Sequence, residues 1–118
     1  MSNIHDNAHS LEKAIRESEE FQNLKTAFET VMKNSETKQM FDEFRDTQIR
    51  LQEKQMQGLE ITEEEIETAR KVVEQVQANQ DISTLMAEEQ HVNELINEIS
   101  RIITSPLEDL YGNPNNLN

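Results

Sequence analysis

Three histidines and 24 acidic side chains are the residues of this 118-residue chain best equipped for metal or acid–base chemistry. His5 and His9 stand four apart, so a helix would place both imidazoles on one face with Asp6 nearby. Two neutral imidazoles make an incomplete site, and a solvated pair is the expectation. Glu88 and His91 form a Glu-x-x-His, the spacing that di-iron helical bundles use twice together with two further inward carboxylates. Here both residues fall beside and behind the stripe of Leu85, Val92 and Ile99, which suits an exposed i,i+3 charge pair. Glu60, Glu63, Glu64, Glu65 and Glu67 lack the alternating oxygen ligands and loop glycine of a calcium loop, and read as an acidic helix start. Ser10, Ser18, Ser35, Ser83, Ser100 and Ser105 sit where caps or helix surfaces are expected, without the base and oxyanion hole a nucleophile needs. With no cysteine, thiol catalysis, disulfides and cysteine-ligated metal are excluded. The expectation is therefore a non-enzyme with no cofactor and no metal.

The elements that carry these residues are helices. The chain has two glycines and two prolines, three of the four lying at or beyond Pro106. A β-sandwich needs far more turn residues, and a phosphate-binding loop needs clustered glycines. Net charge is −13, with Arg101 the only Lys or Arg after Lys71. Such a surface repels phosphate backbones and anionic lipid, so neither nucleic acid nor membrane is an expected partner. No apolar run has the length of a signal peptide or a membrane span, which makes the cytoplasm the expected location.

Spacing divides the chain into amphipathic segments. Ile4, Ala8, Leu11 and Ile15 form one stripe. Ser18 then caps a second helix or interrupts a continuing one, with Phe21, Leu24, Phe28 and Val31 beyond it. Asn34-Ser35 is the next break. From about Glu36 to Gln57 the seam is Phe41, Phe44, Gln48, Leu51 and Gln55, whose two amides are either buried with partners or at the edge in water. Gly58 fits the position after a helix end. Thr62 and Glu65 match a capping box, flanked by Ile61 and Ile66 as a hydrophobic staple, so the flanking helices are expected to be antiparallel neighbours. A helix on Ile66, Ala69, Val72, Val73 and Val76 weakens around Ala78–Asp81. The stripe Ile82, Leu85, Glu89, Val92, Ile96, Ile99 and Ile103 follows. Ser105-Pro106 looks like a restart, and Gly112 an end. Residues 1–112 are expected to form one all-helical domain, and 113–118 a disordered tail.

An echo runs at an offset of 45 residues: Phe21, Leu24, Phe28, Val31, Asn34, Met40 and Phe41 match Ile66, Ala69, Val73, Val76, Asn79, Leu85 and Met86. Two similar helix pairs about a pseudo-axis would produce it, as would coincidence between heptad-like stripes.

At ~1.5 Å per residue the 36–57 helix is about 33 Å long. Two such rods leave much of each stripe in water. Each buried Leu, Ile or Phe contributes roughly 1.5–3 kcal/mol, so several bare positions forfeit on the order of 10 kcal/mol, comparable to a domain's net stability. A second copy would shelter them, with a twofold dimer the default symmetry. The expected oligomer or core seam is Phe41, Phe44, Gln48, Leu51, Gln55, Ile82, Leu85, Val92, Ile96, Ile99 and Ile103.

The segment from Met40 to Gly58, followed by Ile61-Thr-Glu-Glu-Glu-Ile66, resembles the YlbF/YmcA family of bacterial helical proteins, nearest its YheA-like branch. Leu11–Phe21 and Ile102–Tyr111 fit as well. The resemblance covers residues 4–112 and implies an elongated, dimeric helical hairpin from Gram-positive bacteria. Some relatives act in regulatory complexes affecting competence, sporulation, biofilm formation and RNA processing. In certain of these, cysteines hold iron–sulfur clusters, and that chemistry does not transfer to a cysteine-free chain. The expected function is that of a homo-oligomeric interaction protein or regulatory adaptor with itself and an unidentified protein as partners. Two alternatives stand beside it: a holdase-like chaperone clamping unfolded chains on Met32, Met40, Met56 and Met86, and, more distantly, a metal bundle on Glu88 and His91.

Overall fold

Polar caps cut the chain where its apolar periodicity falters. A computed structural model describes residues 3–112 as five helices: α1 (Ile4–Glu17), α2 (Glu19–Lys33), α3 (Ser35–Met56), α4 (Glu63–Gln77) and α5 (Gln80–Tyr111). Asn3, Ser18, Asn34, Thr62 and Asn79 each turn a side-chain oxygen onto a first-turn backbone N–H, satisfying a donor that the helix itself leaves orphaned. Ser18 therefore separates two helices, and the weak stretch before Ile82 is a true break at Ala78-Asn79. The expected tail, 113–118, lies outside the described residues.

One expectation is corrected. Ser105-Pro106 does not restart a helix, because α5 runs through Pro106 to Tyr111. Proline removes one intrahelical donor and orphans the carbonyl four residues back. Every residue from Arg101 to Gly112 is exposed, so water can take up that carbonyl.

Two elbows, α2–Asn34–α3 and α4–Asn79–α5, interlock to make the core. α2 packs along α5, and α3 along α4. Exchanging α2 with α4 and α3 with α5 maps one packed pair onto the other. The matching positions 45 apart include Ala27 with Val72, Val31 with Val76, and Thr37 with Ile82, all six buried. Both elbow asparagines hold nearly the same extended backbone, φ −104° and ψ 117° against φ −99° and ψ 117°. The echo in the sequence thus has a structural counterpart. Phe41, Phe44 and Leu85 complete the buried cluster, with Leu24, Met32 and Met40 packed against it.

Away from this crossing the pairs diverge as two arms. The molecule measures 54 × 40 × 21 Å with a radius of gyration of 19.3 Å, where a compact domain of this length would have roughly 13.5 Å. An elongated, forked, all-helical chain is the result.

Candidate interaction surfaces

The α3·α4 arm is sealed at its tip. Gly58, at φ +71°, lets its own N–H reach the Gln55 carbonyl at 3.2 Å while the Leu59 N–H reaches that of Lys54 at 2.9 Å. These are the two bonds of a Schellman motif. Six residues on, Glu65 N donates to Thr62 Oγ1 at 3.1 Å, and Thr62 N donates back to Glu65 Oε1 at 3.2 Å. The same carboxylate oxygen accepts from Lys54 Nζ at 2.5 Å, joining the end of α3 to the start of α4. The Lys54 ammonium first, and the Thr62 amide second, hold the Glu65 carboxyl below its ordinary pKa. Ile61 is half-buried, whereas Ile66 faces outward and is exposed.

The α2·α5 arm is open. α2 has 15 residues and α5 has 32. A shallow groove between them is lined by Asn23, Thr26 and Thr30 from α2 and Asp81, Thr84 and Glu88 from α5, and the C-terminal part of the longer α5 outruns α2. On the overhang Ile96, Ile102, Ile103, Leu107, Leu110 and Tyr111 stand in solvent, Ile103 at 63% and Leu110 at 74% exposure. α1 offers no cover, since none of its Cα atoms comes within 8 Å of any helix except α2. None of α1's residues is buried. Between the arms, α3 and α5 leave a cleft of about 510 Å³, with Phe41, Phe44 and Met86 beneath a rim of Arg45, Gln48, Gln90, Asn93 and Asn97. Arg45 lies over the Phe41 ring, 5.8 Å from its centroid.

The expected seam residues fall into three groups. Phe41, Phe44, Ile82 and Leu85 are in the core; Leu51, Val92 and Ile99 are half-buried; Gln48, Gln55, Ile96 and Ile103 are exposed. The two amides thus lie at the edge of the single chain, Gln48 on the cleft. Leu107 and Leu110, beyond the expected restart at Ser105-Pro106, lie on the continuous α5 and extend the Ile96–Ile103 stripe. The methionines do not share a face: Met32 and Met40 pack on the core, Met86 lines the cleft, and Met56 stands exposed at the end of α3. His5 Nδ1 lies 3.3 Å from Asn3 Oδ1 and His9 Nδ1 3.4 Å from Glu12 Oε1, so the two rings meet different neighbours. His91 Nδ1 is 3.4 Å from Glu88 Oε2. Among the described residues no three potential ligands converge, and no helix is long and apolar enough to cross a membrane.

Known proteins of similar shape and sequence place the chain in a family. The family described as "Control of competence regulator ComK, YlbF/YmcA" matches residues 4–108. A UPF0342 protein of Oceanobacillus iheyensis is 65% identical over 112 residues, 95% of this chain and 96% of that one. A solved protein of unknown function (DUF964) from Bacillus stearothermophilus superposes with a TM-score of 0.82 at 43% identity, over 94% of this chain and 97% of that one. The structure of yheA from Bacillus subtilis gives 0.73 at 39%, covering 93% and 100%. Bacillus subtilis RicA, solved in complex with RicF, shares the fold alone, at a TM-score of 0.67 and 15% identity over 92% and 96%. A forked helical chain with capped elbows, 39–43% identical to two solved structures across nearly its full length, belongs to the YlbF/YmcA family.

Proposed function

We propose that this chain is a non-enzymatic protein-interaction module of the cytoplasm: a homo-oligomer, with a twofold dimer as its unit, that presents a helical surface to a regulatory protein partner. The observation that carries the reading is the bare apolar stripe of α5. Burying large apolar side chains is the main favourable term in protein association, and a contiguous exposed patch of them marks an interaction surface. The family's description as a control of a competence regulator is in keeping with an adaptor. So is the fold likeness to RicA, which is itself held in a complex with RicF.

Light scattering across a concentration series, joined to affinity capture from a Gram-positive cytoplasm, tests the reading. The expected result is a mass at least twice 13.8 kDa and a reproducible protein partner. A folded species that keeps the single-chain mass when concentrated, and captures no partner above background, would overturn it.

A further inference from the structure

The two bare faces of this molecule match each other. We propose that α1 of one copy docks on the α5 overhang of a second copy, and the reverse, so that the dimer forms by reciprocal exchange of N-terminal helices. The proposal rests on the self-association put forward above and specifies its geometry.

Four observations lead to it. The α1 stripe of Ile4, Ala8, Leu11 and Ile15 spans about 16 Å, and the α5 stripe of Ile96, Ile99, Ile103, Leu107 and Leu110 about 21 Å, at ~1.5 Å per residue. One fits along the other. Next, α1 already presents a concavity of about 320 Å³ where it meets α2, lined by Ala8, Leu11, Ile15 and Phe21 with Glu12 and Arg16. That is a seat for a neighbouring helix rather than a filled core.

Third, the bend that carries α1 away from its own α5 is built in. Ser18 has ψ 151°, and its hydroxyl donates to the Ile15 carbonyl at 2.6 Å while accepting from Phe21 N at 3.2 Å. Gln22 Nε2 adds a bond to the Arg16 carbonyl at 2.6 Å. These bonds hold the elbow, and α1 meets no helix but α2, its stripe exposed at Ile4 and Ala8 and half-buried at Leu11 and Ile15.

Finally, the single chain exposes too much surface. Its accessible area is 9526 Å², whereas a globular chain of this mass exposes roughly 6600 Å². The excess is about 2900 Å². A third of it already exceeds the roughly 800 Å² that each partner contributes to a standard interface. A second copy meets the need with the fewest assumptions, because each copy carries both halves of the contact and a twofold axis makes the contact twice. Apolar burial has to drive the contact, since α1 carries Asp6, Glu12 and Glu17 against Lys13 and Arg16, and Arg16 is already paired with Glu12 at 2.8 Å.

Because the chain lacks cysteine, engineered thiols report the contact cleanly. Ala8→Cys on one tagged copy and Ile103→Cys, Ile99→Cys or Leu107→Cys on a differently tagged copy are mixed at equal concentration and oxidised. The expected result is a disulfide-linked heterodimer for at least one pairing, absent when Ala8→Cys is paired with Lys33→Cys at the far end of α2. A second arm uses Ile103→Glu with Leu107→Glu. Both positions are exposed in the single chain, so helicity should persist while dimerisation weakens by about 100-fold, one decade per hot-spot side chain at least. A wild-type dimer that forms no such cross-link and ignores the double substitution overturns the exchange and leaves the interaction module standing. A doubly thiolated chain that links only within itself also overturns it, because α1 then closes on its own α5. A wild-type chain monomeric at every concentration overturns both.

Discussion

The two arms are built from one plan and end in opposite ways. α2·α5 and α4·α3 correspond at an offset of 45 residues, with Val31 and Val76 both buried. At the α3·α4 tip the chain turns on Gly58, and polar groups satisfy one another through Thr62, Glu65 and Lys54. At the far end of α2·α5 the chain instead bends away at Ser18, and α5 continues alone. Local hydrogen bonds can finish a hairpin without any partner. An uncovered apolar stripe cannot be finished that way, since only another apolar surface removes it from water. On the proposed reading, the difference separates a structural end from an associating one.

The strongest way to break the comparison is to remove the crossing that both arms share. Leu85→Ala, at a fully buried position, should cost about 2–5 kcal/mol. Urea denaturation followed by circular dichroism should show both arms lost in one lowered transition; two separate transitions would mean that the arms are independent. A smaller effect is expected at the sealed tip. Gly58→Ala forces an L-residue to φ +71° and should cost about 1–2 kcal/mol, although nothing lies within 4 Å of the added methyl. Thr62→Ala, which deletes one half of the capping box, should cost about 1 kcal/mol, read as a lower urea midpoint. Neither tip substitution should change the mass measured by light scattering, because the proposed association uses the opposite end.

The smallest effect is the ion pair of the clasp. The folded chain holds the Glu65 carboxyl below its ordinary pKa, so it releases its proton at lower pH than the unfolded chain does. Its stabilising contribution is present above the unfolded value of about 4.3 and is lost as pH falls through the lower folded value. Glu65→Gln keeps a capping group but removes the charge. The melting-temperature gap between wild type and Glu65→Gln should therefore close on acidification from about pH 7 to about pH 3. Glu12 and Glu67, lowered by Arg16 and Arg70 respectively, are common to both proteins and cancel.

Much of the fold was legible because caps are short-range. Thr62 with Glu65 names its helix start through bonds spanning three residues, and Gly58 names its turn through one dihedral angle. The 45-residue echo also pointed to paired elbows, and coincidence between heptad-like stripes explained it nearly as well. Pro106 is the counterexample. Its local rule reads as a helix start, yet α5 passes straight through, because a solvent-exposed helix tolerates one orphaned carbonyl.

The candidate surface was legible only as a stripe. Ile82 and Ile103 lie on the same helical stripe and have the same side chain, but the first is 0% exposed and the second 63%. Periodicity states which residues share a face of a helix, since the 3.6-residue turn is a property of the local backbone. It does not state what lies opposite that face. The sequence by itself therefore determined the apolar sides of the helices and most of their breaks, the one read at Pro106 excepted. Only the tertiary structure decided which length of each side was covered, because burial depends on where a second helix ends, and here α2 ends while α5 goes on.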